Sequence, residues 1–358
     1  MSRENGRTTR GNVAAACLCF ALARLFAACD AGDGAGIADG GDTDTTTDTG
    51  TGGDVDADAG PDGGALTVEA FEPADGAVVR MNQKIVVRFS PGATGDHVDP
   101  ATVAILVDGA QVDAREYYAE SQGNREFHFV PFPVWNPGET HEVVVAAGAA
   151  YAGDPSRALT AEFSWSFTVE DAPLEEAYDE AATPALSDDE LAAMAGGEPD
   201  AGAFLESDLV KDWTDPESGL YEVSIAVRPD DPDVAAFADK MLASLNPLSA
   251  VGLAAPQFGV DRRLFVANVN GERRAFINPR VDTWSDDLYF GSPEGCLSID
   301  GVSSIVGRPA SISVEFDTPD GDHVSGYTLQ NYGAKVWLHE YDHLDGVLMT
   351  DREERRSW

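Results

Sequence analysis

The chain has 358 residues, and 63 acidic side chains against 23 Lys and Arg give it a formal charge of −40. That balance, without a basic cluster, excludes nucleic acid or an anionic membrane face as its main partner. A 43% hydrophobic and 9% aromatic content is that of a globular protein, its length suggests two domains, and no apolar run reaches the ~20 residues of a bilayer-spanning helix.

In chain order, residues 1–29 predict an export signal. Arg3, Arg7 and Arg10 form a positive start, Val13 to Ala23 is apolar, and small residues lead into Cys29. The segment Leu25-Phe26-Ala27-Ala28-Cys29 is similar to a bacterial lipoprotein signal, which implies lipidation of Cys29 and an exported, envelope-anchored protein. Ala21-Leu22-Ala23 offers an ordinary signal peptidase an alternative site. Residues 30–65 hold ten Asp and no Lys or Arg, which predicts an acidic, disordered linker.

Residues 66–169 are strand-like throughout. Short runs rich in β-branched and aromatic residues (Leu66–Phe71, Lys84–Phe89, Thr102–Val107, Val112–Tyr118, Glu126–Val130, Glu142–Ala146, Glu162–Val169) alternate with turn signals such as Asp108-Gly109 and Asn136-Pro137-Gly138. Seven strands in a hundred residues predict an all-β sandwich. The opening Glu72-Pro73-Ala74-Asp75-Gly76-Ala77 resembles bacterial Ig-like domains, which implies a spacer or a module touching a protein or envelope component. His97, His128 and His141 lack metal-ligand spacing. Residues 170–206, with twelve acidic side chains and no basic ones, predict a second tether. Within it, Ser187-Asp188-Asp189-Glu190 is a capping box that starts a short helix.

Residues 207–358 read as α+β. Val234–Leu245 has helical apolar spacing, strands are expected at Arg263–Val269, Ala275–Asn278 and Ile312–Phe316, and a last helix from about Asn331 to Leu344. That last helix carries His339-Glu340-Tyr341-Asp342-His343. Histidines at i and i+4 share a face and can converge on one metal, with Glu340 beside them as general base. A third ligand is then needed. Cys296, the one thiol outside the first 29 residues, supplies it from Glu294-Gly295-Cys296-Leu297-Ser298. Upstream, Val251-Gly252-Leu253-Ala254-Ala255-Pro256-Gln257 offers small residues and an amide able to hold a carbonyl.

Those three elements, in that order, resemble the motifs of the peptide deformylases, G-x-G-x-A-A-x-Q, E-G-C-x-S and H-E-x-x-H. Phe276-Ile277-Asn278-Pro279 and the stretch Gly346 to Arg352 agree. The resemblance implies a metal-dependent hydrolase that removes the formyl group from formyl-methionyl peptides. It implies Cys296, His339 and His343 as metal ligands, Glu340 as general acid/base, and Gln257 with the Leu297 N–H as oxyanion donors. Val251, Gly252, Glu294, Gly295, Tyr332 and Val336 are the implied substrate contacts. Fe²⁺ is the metal implied by the family, with Zn²⁺ the more durable occupant outside the cytoplasm. Departures fall on the rim: Ala250 replaces the first motif glycine, Leu338 a frequent glutamine, Asp300 a frequent proline, and Ser303 and Ser304 a frequent basic residue. Arg308 is expected as a buried partner of Asp342. A different H-E-x-x-H peptidase or N-acyl hydrolase, and a non-catalytic surface lipoprotein, are the competing readings.

Overall fold

The computed structural model describes residues 64–92, 96–112, 115–117, 125–171, 178–196, 202–215 and 217–352. The predicted export signal with Cys29, and nearly all of the first acidic linker, lie outside them.

Among the described residues, nine strands build the N-terminal sandwich: β1 (Val68–Glu72), β2 (Ala77–Val79), β3 (Ile85–Phe89), β4 (Ile105–Val107), β5 (Ala110–Gln111), β6 (Arg115–Tyr117), β7 (Glu126–Phe129), β8 (Thr140–Val145) and β9 (Phe163–Val169). One sheet runs β1-β3-β7-β6 and the other β2-β9-β8-β4-β5. Alternation along β8 and β9 sends Val143, Val145, Trp165 and Phe167 inward to meet Ile85, Val87, Phe89 and Phe127 from the facing sheet. The two strands beyond the seven predicted include β2 and β5. Each follows a turn flagged in the sequence but is too short to show a period of two.

The acidic segment 170–206 departs from a free tether. Helix α1 (Asp188–Ala195) forms with the expected capping box: Ser187 Oγ accepts from Glu190 N, and the Glu190 carboxylate accepts from Ser187 N. Met194 and Phe204 then enter a hydrophobic core shared with α2 (Pro232–Ser244). Arg262, almost wholly buried, holds the strap in place. It donates to Glu190 and to the carbonyls of Pro184 and Ala185. Among its described residues, Asp188 and Asp189 are exposed, Met194 and Phe204 are buried, and Glu190 is paired.

The C-terminal domain adds β10 (Gly252–Ala254), β11 (Leu264–Val269), β12 (Glu272–Trp284), β13 (Leu288–Tyr289), β14 (Glu294–Cys296), β15 (Ile299–Ser304), β16 (Arg308–Pro309), β17 (Ser311–Asp317) and β18 (His323–Gln330). Five of them form an antiparallel sheet in the order β10-β11-β12-β17-β18. Asn270-Gly271, both at positive φ, close the β11–β12 hairpin and set its register, Val269 opposite Glu272. Asn278, also at positive φ, sits where the β12–β17 register shifts, and its amide pairs with Val227 N and O. Helix α3 (Tyr332–Leu344) packs across β10 and β11, burying Trp337, Leu338, Tyr341 and Leu344 against Phe265 and Phe276.

The sandwich is seated directly on this domain. The Asn82 amide donates to the carbonyls of Tyr221 and Gly346, and Lys84 pairs with Asp351. Phe132 packs edge-on to Trp284 and Tyr341.

Candidate metal centre and active site

Three elements converge at one end of the sheet. Helix α3 contributes His339, Glu340 and His343 from one face, because positions i and i+4 stack one turn apart. The two-stranded hairpin β14–β15 brings Cys296 over that face. A single 3-10 turn, Ala255–Phe258, supplies Gln257.

One donor atom from each of Cys296, His339 and His343 lies within 4.8 Å of the others, and Cys296 Sγ is 3.3 Å from His343 Nε2. No other group of three or more His, Cys, Asp or Glu among the described residues is placed to hold a metal. Burial alone would raise the Cys296 thiol, but His343 and His339 hold it well below its ordinary range. That environment favours the thiolate, the form that ligates metals. His339 Nδ1 lies 2.8 Å from Glu294 Oε2. Since the carboxylate accepts, Nδ1 is the nitrogen that donates there, which leaves Nε2 as the one a metal would take. Two imidazoles and a thiolate suit a tetrahedral Zn²⁺ or Fe²⁺ with one open position.

Glu340 is buried, and its Oε2 makes no hydrogen bond. Burial pushes its carboxyl up to about 7, despite opposing pulls from His339 and His343. That is the range in which a carboxylate can both take and return a proton at neutral pH. Its room depends on Gly252. A Cβ there would stand 2.2 Å from Glu340 Oε1, inside any contact distance. The Gln257 amide is also oriented: Oε1 accepts from Ala254 N, which turns Nε2 toward Cys296 Sγ at 3.4 Å and Ser298 Oγ at 3.3 Å.

These groups open into a cleft of about 490 Å³ whose lining includes Val251, Leu297, Tyr332 and Val336. Val251 and Tyr332 are exposed apolar side chains at its mouth. Gly252 and Gly295 line the same cleft, so all the implied contacts come together here. One of them plays a different part. The Glu294 carboxylate accepts two bonds of 2.9 Å from Arg308 as well as the one from His339. Burial alone would raise that carboxyl, but the Arg308 guanidinium holds it far below the usual carboxylate range. The Glu294 side chain is therefore committed to orienting the His339 ring. Arg308 reaches Asp342 as expected.

Sequence reasoning passed over Lys335 and Arg352. Lys335, one turn before His339 on α3, is buried and donates to Phe290 O, Val306 O and Glu294. Its helical spacing from His339 was the available signal, but a lysine there reads as a solvated face. Arg352 donates to Asp342 Oδ2 at 2.8 Å from the chain's end, where no periodicity points to it.

A cysteine sulfur and two imidazoles brought together beside a buried carboxylate define the class of H-E-x-x-H hydrolases with a cysteine ligand. The family model for polypeptide deformylase matches residues 212–357, and that for the bacterial Ig-like domain matches residues 62–169. The peptide deformylase of Treponema pallidum is 39% identical over 143 residues, covering 39% of this chain and 87% of that protein. That of Rhizobium meliloti is 38% identical over 141 residues, covering 38% of this chain and 80% of that one. Among solved structures, the peptide deformylase of Thermotoga maritima matches with 32% identity and a TM-score of 0.38, over 41% of this chain and 97% of that one. The chain belongs to the peptide deformylase family, with an Ig-like domain ahead of the enzyme.

Proposed function

We propose that this protein releases formate from formyl-methionyl peptides, and that it does so after export, tethered through Cys29. The carrying observation is the convergence of Cys296, His339 and His343 on the face where Glu340 stands buried and protonatable. A divalent metal on those three residues supplies Lewis-acid polarisation and an activated nucleophile at neutral pH. Glu340 takes the proton of the attacking water on its carboxylate and returns it to the departing amine nitrogen. The Gln257 Nε2–H and the Leu297 N–H donate to the oxygen that gains charge, an effect worth ~10²–10³ in rate per donor. Val251, Tyr332 and Val336 give an unbranched apolar side chain such as methionine a half-open slot.

Full-length protein loaded with Fe²⁺ or Zn²⁺ is expected to bind one ion per chain and release formate from formyl-Met peptides. Glu340→Ala is expected to keep the ion and lose at least ~10²-fold in rate. Metal binding without formate release, or faster cleavage of an unformylated peptide, would overturn the assignment in favour of a peptidase or a binding protein.

A further inference from the structure

We propose that the Ig-like domain is a positioning partner of the metal centre: Pro131 and Phe132 hold Arg352 on Asp342, and through Arg308 and Glu294 this fixes the His339 ring. The inference rests on the reading that Cys296, His339 and His343 hold a metal. Its links are all direct contacts. His339 Nδ1 is 2.8 Å from Glu294 Oε2, and Glu294 takes both forks of Arg308 at 2.9 Å. Arg308 donates its remaining nitrogen to Asp342 Oδ2 and the Leu338 carbonyl, and Arg352 Nε reaches the same Oδ2 at 2.8 Å.

The other side of Arg352 belongs to the sandwich. Its guanidinium donates to Pro131 O at 3.2 Å and lies 5.5 Å from the centre of the Phe132 ring. Phe132 in turn is wedged against Tyr341, which stacks on Trp337 inside α3. So the helix bearing two metal ligands is touched by the Ig-like domain through packing and through charge.

The chain of contacts is brittle for a physical reason. Asp342 Oδ1 is buried and makes no hydrogen bond, so Oδ2 and its two guanidiniums compensate the whole buried carboxylate. If Arg352 loosens, Arg308 must serve Asp342 alone, and its fork on Glu294 shifts with it. Groups that orient a metal-bound histidine typically change metal affinity 10–100-fold when altered.

The test uses the full chain with Co²⁺ as a spectroscopic probe, reading affinity by chelator competition and ligand geometry by the visible absorption bands. Phe132→Ala and Arg352→Lys are each expected to weaken Co²⁺ retention about tenfold and to shift the bands alike. The double variant should be little worse than either single, because both act along one route. Phe132→Leu should restore most of the affinity. Leu159→Ala, in the sandwich core away from the seam, should leave the bands unchanged. Unaltered Co²⁺ affinity and bands in Phe132→Ala, additive losses in the double, or an equal loss in Leu159→Ala would each overturn the proposal. If Phe132→Ala does not fold, Arg352→Lys decides on the same readouts. Failure of the unmutated chain to bind Co²⁺ would sink the metal reading itself.

Discussion

Gly252 and Glu340 show how one missing methyl group makes room for a catalytic carboxylate. The helix fixes the Glu340 backbone, burial strips its carboxyl of water, and only a residue without Cβ can pass beside Oε1. Gly252→Ala is expected to push Glu340 aside, cutting formate release ~10²-fold or more while the metal stays bound. The cost to stability should be about 1–3 kcal/mol, the usual penalty of overpacking. Paired activity and metal-content assays check it; loss of metal together with activity would point to wider damage. Cys296 gives a second expectation. With its thiol pulled below the ordinary range by the neighbouring histidines, it should be alkylated rapidly by iodoacetamide after metal removal and be protected when Zn²⁺ is restored. Mass spectrometry of the labelled peptide reads this directly.

The strap and helix α3 show that elements of opposite composition are held in place by buried charge. Residues 170–206 carry no cation of their own, so the positive partner comes from Arg262 in the catalytic domain. Arg262→Met should cost about 3 kcal/mol, because it leaves Glu190 and two carbonyls without their donor. The pH dependence has a definite sign. Burial would raise the Glu190 carboxyl, but bonds from Arg262 and Ser187 outweigh it and leave the group below its usual 4.5. A depressed folded-state value means the contribution is whole above pH 4.5 and is lost as pH falls through the folded-state value. The melting-temperature gap between wild type and Arg262→Met should therefore be constant from pH 7 to 5 and narrow in more acidic buffer. A gap that widens on acidification would contradict the pairing. At the C-cap of α3, Asp345 forms a buried pair with Arg263, which lies just before β11.

For the whole molecule, a net charge of −40 is divided between an N-terminal acidic stretch, a strap and two folded domains. If the Cys29 anchor is real, Cys29→Ala should move the protein from the membrane fraction to the soluble one without changing its formate release. Membrane association that survives the substitution would remove lipidation from the account. The seam has a more general consequence. Asn82 reaches Gly346, whose positive φ and crowded Cα leave no space for a side chain, so enzyme and sandwich meet at the turn just past the metal-binding helix.

Local chemistry was readable one residue at a time, and it pointed to the candidate ligand trio, the candidate general base, the amide of Gln257 and the strand-rich character of residues 66–169. Metal-binding spacing on a helix follows from 3.6 residues per turn and needs no knowledge of the rest of the chain. Packing partners do not follow from spacing. Whether Glu294 faces substrate or His339, whether Lys335 points to water or inward, and whether an acidic run floats or docks depend on groups far apart in the chain. Arg308 decided the first and Arg262 the last, each by bringing a cation to a carboxylate, from 14 and 72 residues away, and Lys335 turns inward to the carbonyls of Phe290 and Val306, 45 and 29 residues away. The tertiary structure alone set them, because desolvation punishes an unpaired charge only once the fold has buried it.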